Sequence, residues 1–280
     1  MLSYQHAYHA GNFADVLKHI VLIQVLSYLK KKDSPLCYID THAGSGDYKL
    51  HGGEAQKNKE FQGGIAILWQ RDDMPASVTN YVQLIKLFNP SGQLGRYPGS
   101  PLIAGRLLGN KDRLFLYELH TAEARLLNDA VKQDKRCKLF RADGLKDSLG
   151  LLPPLEHRGL ILIDPSYELK NEYQAVVDAL VAMHKRFATG CYLLWYPVVA
   201  RKRNNYMERA LQKSGIPNIQ LYELGIRPDS DEFGMTACGM IIINPPWTLL
   251  GEMQQILPWL AEKLGENQQG HYRIEQLVSE

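Results

Sequence analysis

The chain of 280 residues lacks the features that mark several protein classes. Its four cysteines, Cys37, Cys137, Cys191 and Cys238, lie far apart and mostly in apolar strand-like runs, which excludes a disulfide scaffold. No CxxC or mixed His/Cys spacing suggests zinc, and no metal is expected. No apolar run reaches membrane-spanning length. The opening MLSYQHAYHAG has no basic start followed by an apolar stretch, so no secretory signal is read and a cytoplasmic location is expected. A surplus of one charge is also missing. There are 32 basic against 30 acidic side chains, a net charge of +2, so any basic surface for nucleic acid must be local. There is no GxxxxGK[ST] loop, which argues against a Walker-type NTPase. No RNP, KH or helix-turn-helix signature is present. What is present is a 45% hydrophobic composition, enough for one domain over residues 1–280 with a large core.

Short apolar runs alternate with helical patterns. Residues 13–32 read as an amphipathic helix with Asn12 as N-cap. Strand-like runs follow at 36–40, 113–119, 137–143, 159–164, 191–197, 219–226 and 238–244. Helical patterns fall at 121–133, 171–188 and 203–215. Buried runs alternating with helices predict an α/β fold with a mostly parallel sheet. The last two runs are joined by a polar stretch without helical period, which predicts a final antiparallel hairpin. Seven strands in this order resemble the Rossmann-like class I methyltransferase fold. Residues 47–98 break the rhythm, because about fifty residues separate the first glycine loop from the expected helix. They read as an inserted, mostly helical subdomain. The delayed helix then starts at Ser100, as N-cap, with Pro101 in its first position.

The strand ends carry the chemistry. Asp40-Thr41-His42-Ala43-Gly44-Ser45-Gly46 follows the first strand, and its glycines let the backbone turn tightly beside a ligand. Such a loop also occurs in nicotinamide and phosphate binders, so the following acids discriminate. Glu118 ends the second strand, where a carboxylate can accept from both ribose hydroxyls. Asp143-Gly144 ends the third, where a carboxylate can accept from an adenine amino group. Together they point to an adenosyl cofactor. Asp164-Pro165-Ser166-Tyr167 ends the fourth strand and resembles the [D/N]PP[Y/F/W] turn of amino-group methyltransferases. An exocyclic amine is a poor nucleophile because its lone pair is delocalised. A carboxylate and a backbone carbonyl that accept its two N–H groups localise that pair and aim it at the methyl-sulfonium. An aromatic in the fourth position can stack on an extruded base. Asn244-Pro245-Pro246-Trp247 fits the consensus better by letters, but it follows the last strand and is read as structural.

The chain is similar over its full length to the RlmJ-type bacterial 23S ribosomal RNA adenine-N6 methyltransferases. The resemblance rests on Tyr4, His6, His9-Ala10-Gly11-Asn12, Ala14-Asp15 and Lys18-His19, with Asp40-Thr41-His42-Ala43-Gly44 and Tyr97-Pro98-Gly99-Ser100-Pro101. Glu118, Asp143-Gly144 and Asp164-Pro165 complete it. It implies S-adenosylmethionine as cofactor, with 23S ribosomal RNA as partner and no membrane or obligate protein partner. It further implies that an N-terminal segment, residues 1–12, meets the substrate through Tyr4 and His6. It places Lys18, His19 and His42 at the methionine end of the cofactor, and Asp164 as the catalytic residue that also contacts the cofactor. Ser100 is expected at the cofactor and Tyr167 at the target base. Ser166 replaces the family's usual second proline, leaving the Asp164 carboxylate and Pro165 carbonyl in place. Arg201-Lys202-Arg203, with Lys49, Lys57 and Lys59, could form a phosphate-binding rim. The site residues do not separate RNA from DNA adenine methylation; only the family resemblance does. A protein glutamine methyltransferase would carry Asn in place of Asp164. A nicotinamide oxidoreductase would need a fuller glycine fingerprint, and a non-enzymatic binding module has no use for the acid-tipped strands.

Overall fold

The computed structural model describes residues 5–230 and 234–280. The chain enters through helix α1 (Phe13–Leu29) and strand β1 (Cys37–Asp40), then a two-stranded ribbon, β2 (Asp47–Lys49) with β3 (Arg96–Pro98). Between the ribbon strands lie α2 (Gly53–Asn58), α3 (Ile65–Leu68) and α4 (Ala76–Lys86). There follow α5 (Ser100–Leu107), β4 (Arg113–Tyr117), α6 (Thr121–Val131), β5 (Cys137–Phe140), α7 (Gly144–Asp147) and β6 (Gly159–Ile163). The second half comprises α8 (Glu172–Arg186), β7 (Cys191–Val198), α9 (Arg201–Gln212), β8 (Ile219–Gly225), β9 (Ala237–Ile243), α10 (Leu249–Leu264) and β10 (His271–Val278). The sheet order is β10-β8-β9-β7-β6-β1-β4-β5. Strands β5, β4, β1, β6 and β7 are parallel, and β9 runs antiparallel between β7 and β8. The chain moves outward from β1 through β4 and β5, then returns to its other side with β6. That reversal opens a crevice at the carboxyl ends of β1 and β6, where such sheets bind ligands. All four cysteines are free thiols, and among the described residues no helix is long and apolar enough to cross a membrane.

Three expectations need correction. The sheet has eight strands, not seven. The additional strand, β10, pairs antiparallel with β8 at the sheet edge. Its sequence HYRIEQLV alternates only weakly, because an edge strand buries little of either face. Helix α1 is not amphipathic: residues 13–23, 25 and 26 are buried, so every face is covered. One side meets α5 and the sheet, while α4 and α10 cover the rest. Charged and polar groups of α1 are therefore locked inside the protein, where they must find partners. Finally, the residue before α5 is Gly99, and Ser100 is the first helical residue rather than the cap. Its hydroxyl is used elsewhere, donating to Asp40 Oδ2 at 2.7 Å.

Hydroxyl contacts tie the 47–98 segment to α1. Tyr97 lies 2.7 Å from Nδ1 of His19, and Tyr81 lies 3.0 Å from Tyr97. The returning chain is fixed by Asn89, whose side-chain oxygen accepts from the amides of Gly95 and Arg96.

The other edge of the sheet is fastened by a buried acid. Glu223 on β8 is fully buried and accepts from Tyr196 at 2.9 Å and from Arg201 at 2.7 and 2.9 Å, with Arg273 of β10 beside it. Removing this carboxylate would leave the Tyr196 hydroxyl without its acceptor, while Arg201 keeps Asp229 and Arg273 keeps Glu208 and Glu275. The Glu223→Ala variant should lose about 2–3 kcal/mol in urea unfolding. A loss under about 1 kcal/mol would mean that the remaining carboxylates hold both arginines without Glu223.

Candidate active site

A cavity of about 790 Å³ opens at the carboxyl ends of β1, β4, β5 and β6, and a smaller one of about 200 Å³ adjoins it. Lys18, His6, Asp164 and Ser166 line both. The larger cavity collects His19, His42, Ser100, Glu118, Asp143 and Gly144, so the carboxyl-end geometry brings these predicted residues together. Tyr167 lines only the smaller cavity. Tyr4 lies outside the described residues.

The glycine loop turns after β1 through Gly44 and Gly46, both in the left-handed region. Glu118 braces this loop, accepting from the amide of Gly44 at 2.9 Å and of His120 at 2.7 Å. Each carboxylate oxygen keeps a further lone pair for a ligand. Burial pushes Glu118 above the usual glutamate range. Asp143 caps the short α7, accepting from the amides of Leu145 and Lys146. Gly144 is required sterically, because a Cβ there would lie 2.1 Å from the carbonyl oxygen of Thr41.

Two neutral imidazoles face the same cavity. Burial lowers His19 to about 3 and His42 to about 4, so both are uncharged at neutral pH. When Tyr81 donates to Tyr97 and Tyr97 to His19 Nδ1, the ring proton of His19 sits on Nε2, a buried atom with no protein partner. His42 takes the opposite polarity when the Thr41 hydroxyl donates to the Leu162 carbonyl: Nδ1 of His42 then donates to Thr41 and Nε2 is left as an acceptor. A donor imidazole and an acceptor imidazole suit the carboxylate and the ammonium of an amino acid. Nearby, His120 Nδ1 and Glu123 Oε2 are also buried without protein partners. These unsatisfied groups, the braced acid at β4 and the apolar Leu119, Leu145 and Leu149 fit a ligand with a nucleoside and an amino-acid end.

Lys18 stands on the wall of the larger cavity and also against Asp164. Its ammonium lies 2.8 Å from Asp15 and 2.6 Å from Asp164, directly against the candidate catalytic carboxylate. Burial would push Lys18 down, but the two carboxylates outweigh it and hold the ammonium charged well above the ordinary lysine value. Asp15 is likewise held well below the usual range, by His6 and Lys18 against the effect of burial. Tyr167 has a left-handed backbone (φ 54°) and a ring packed against Tyr173 and Trp195. Its hydroxyl donates to the Trp195 carbonyl at 2.9 Å.

The basic rim is sorted by the structure. Arg201 is committed to Glu223 and Asp229, whereas Arg203 lines the smaller cavity. Asn244 donates to the carbonyls of Ala188 and Gly190, a structural tie. Sequence reasoning missed Asp15, Trp195 and the part played by Asp40. Asp40 stood inside the quoted loop, and its position at a strand end was the available signal. It is fully buried and accepts from Ser100, Tyr38 and the amide of His42.

Burial raises Asp40 to about 6. Its folded value lies above its unfolded one, so its protonated form favours folding. That contribution is complete below pH ~4 and is lost as pH rises through ~6. Between pH 4 and 7, wild type should lose about 3 kcal/mol of urea stability relative to Asp40→Asn. Parallel curves for the two proteins would contradict the raised value.

The family model for ribosomal RNA large subunit methyltransferase D, RlmJ, matches residues 33–278. Ribosomal RNA large subunit methyltransferase J of Escherichia coli K12 is 50% identical over 280 residues, covering all of both chains. The Haemophilus influenzae protein of the same name is 46% identical over 281 residues, again covering both chains fully. A crystal structure from Legionella pneumophila superposes with a TM-score of 0.89 at 39% identity, over 96% of this chain and 98% of that one. With matches of this extent, the chain belongs to the RlmJ family of ribosomal RNA large subunit methyltransferases.

Proposed function

We propose that this protein transfers a methyl group from S-adenosylmethionine to the N6 amine of an adenine in 23S ribosomal RNA. Its place of action would be the cytoplasm. The observation that carries this reading is the Asp164-Pro165 turn, which stands at the junction of the two cavities. Membership of the RlmJ family supports the ribosomal substrate.

The cofactor supplies an electrophilic methyl on a positively charged sulfur. In this reading Glu118 accepts from the ribose hydroxyls and Asp143, beside Gly144, from the adenine amino group. His19 donates to the carboxylate of the methionine end and His42 accepts from its ammonium. Ser100 acts by fixing Asp40 beneath the glycine loop. The target base enters the smaller cavity, bordered by Tyr167 and Trp195. Asp164 and the Pro165 carbonyl accept its two N–H bonds, which localises the nitrogen lone pair and holds it in line. After transfer the amine sheds one proton, and Asp164 is the acceptor within reach. His6, with Tyr4 beyond the described residues, would close over the base. Arg203 would meet the phosphate of the target nucleotide from the cavity rim.

The test is incubation with labelled cofactor and unmodified 23S RNA, DNA or protein. RNA should be labelled, and Asp164→Asn should fall at least about a hundredfold in kcat while binding cofactor normally in calorimetry. Glu118→Ala should show the reverse, weaker cofactor binding by about tenfold or more. Label appearing only in protein, or full activity in Asp164→Asn, would refute the assignment.

A further inference from the structure

Asp15 has no evident reason to be an acid inside a protein, apart from what surrounds it. It is 1% exposed, at the third position of α1, whose cap Asn12 already accepts from the amides of Ala14 and Asp15. The helix start is therefore satisfied without the Asp15 side chain. That side chain instead gathers two hydrogen-bonding groups on Oδ2 and an ammonium ion against Oδ1. Oδ2 accepts from the Gly11 amide at 2.8 Å and lies 3.0 Å from His6 Nε2. Oδ1 lies 2.8 Å from Lys18 Nζ, one turn further along the same face. Lys18 in turn reaches Oδ2 of Asp164 at 2.6 Å. Four side chains thus form one chain from the N-terminal segment to the candidate catalytic carboxylate: His6, Asp15, Lys18, Asp164.

We propose that Asp15 is a positioning residue for methyl transfer: it divides the Lys18 ammonium between itself and Asp164 and anchors His6 at the same point, so that the N-terminal segment and the catalytic carboxylate are set as one unit. The inference rests on the reading of Asp164 as the acceptor of the amine N–H. Lys18 with only one acid to serve would settle on Asp164 alone and compete with the incoming amine for its oxygens. Shared between two acids, it leaves Asp164 Oδ1 for the substrate. Losing Asp15 also releases His6 from α1, so the covering segment and the carboxylate lose register together. Asp15 borders the smaller cavity, but it is 1% exposed and its oxygens face Gly11, His6 and Lys18, so it acts through its partners.

A double-mutant cycle of Asp15→Asn and His6→Ala tests this, with Asp15→Glu as the conservative variant. Each protein is assayed with saturating unmodified 23S RNA, and cofactor affinity is measured by calorimetry alongside thermal unfolding. Asp15→Asn should lower kcat at least tenfold with cofactor affinity within threefold of wild type, and Asp15→Glu should recover part of the rate. His6→Ala should cost less than threefold further in the Asp15→Asn background, although it costs much more alone. Independent, multiplying losses overturn the coupling. So does a kcat for Asp15→Asn within twofold of wild type. Parallel loss of cofactor binding and thermal stability in Asp15→Asn assigns the acid to the helix start and overturns the positioning role. Wild-type protein that labels no RNA overturns the assignment of the site itself, a result distinct from any behaviour of the variants.

Discussion

A buried ammonium ion cannot stand alone. Lys18 sits on a helix covered on every side, and its charge survives there only because Asp15 and Asp164 flank it. One of those acids belongs to the same helix, the other to the turn after β6. The ion set therefore fixes α1 against the carboxyl end of the sheet at the point where two cavities meet. Burial of α1 is what makes the arrangement rigid. The 47–98 segment and α10 close over its outer side, and Lys18 is left 4% exposed, facing the two cavities.

The same covering explains the chemistry of the larger cavity. A tyrosine pair from the 47–98 segment lies against Nδ1 of His19, and the Thr41 hydroxyl lies against Nδ1 of His42. Both imidazoles are kept neutral by burial, and both face the larger cavity. Glu118 and Ser100 serve the loop between them, the first through the Gly44 amide and the second through Asp40. The cavity wall is thus built from pairs in which one member lines the cavity and the other holds it in place.

Much of this was legible in the sequence. The alternation of apolar runs pointed to a mostly parallel sheet ending in a hairpin, and the acids at 118, 143 and 164 do line the cavity at its carboxyl end. These signals are local, a strand followed by a polar residue. What was hidden was non-local. Helix α1 read as amphipathic because its charged residues lie among apolar ones, and only tertiary covering shows that Asp15, Lys18 and His19 point into the protein. Ser100 read as a cap because serine before proline usually is one, whereas a buried Asp40 sixty residues earlier claims its hydroxyl. Strand β10 escaped notice because an edge strand needs few apolar residues. The choice of Asp164 over the better-spelled Asn244 turn came from strand order, and Asn244 proves to tie two backbone carbonyls at the far end of the sheet.

In the proposed reaction one carboxylate and one carbonyl at the end of β6 present an exocyclic amine for methylation. The most direct measurement is mass spectrometry of nucleosides from 23S RNA incubated with the protein and S-adenosylmethionine. The account predicts N6-methyladenosine as the new nucleoside. Methylation at a ring nitrogen, at a ribose hydroxyl or on another base would contradict it.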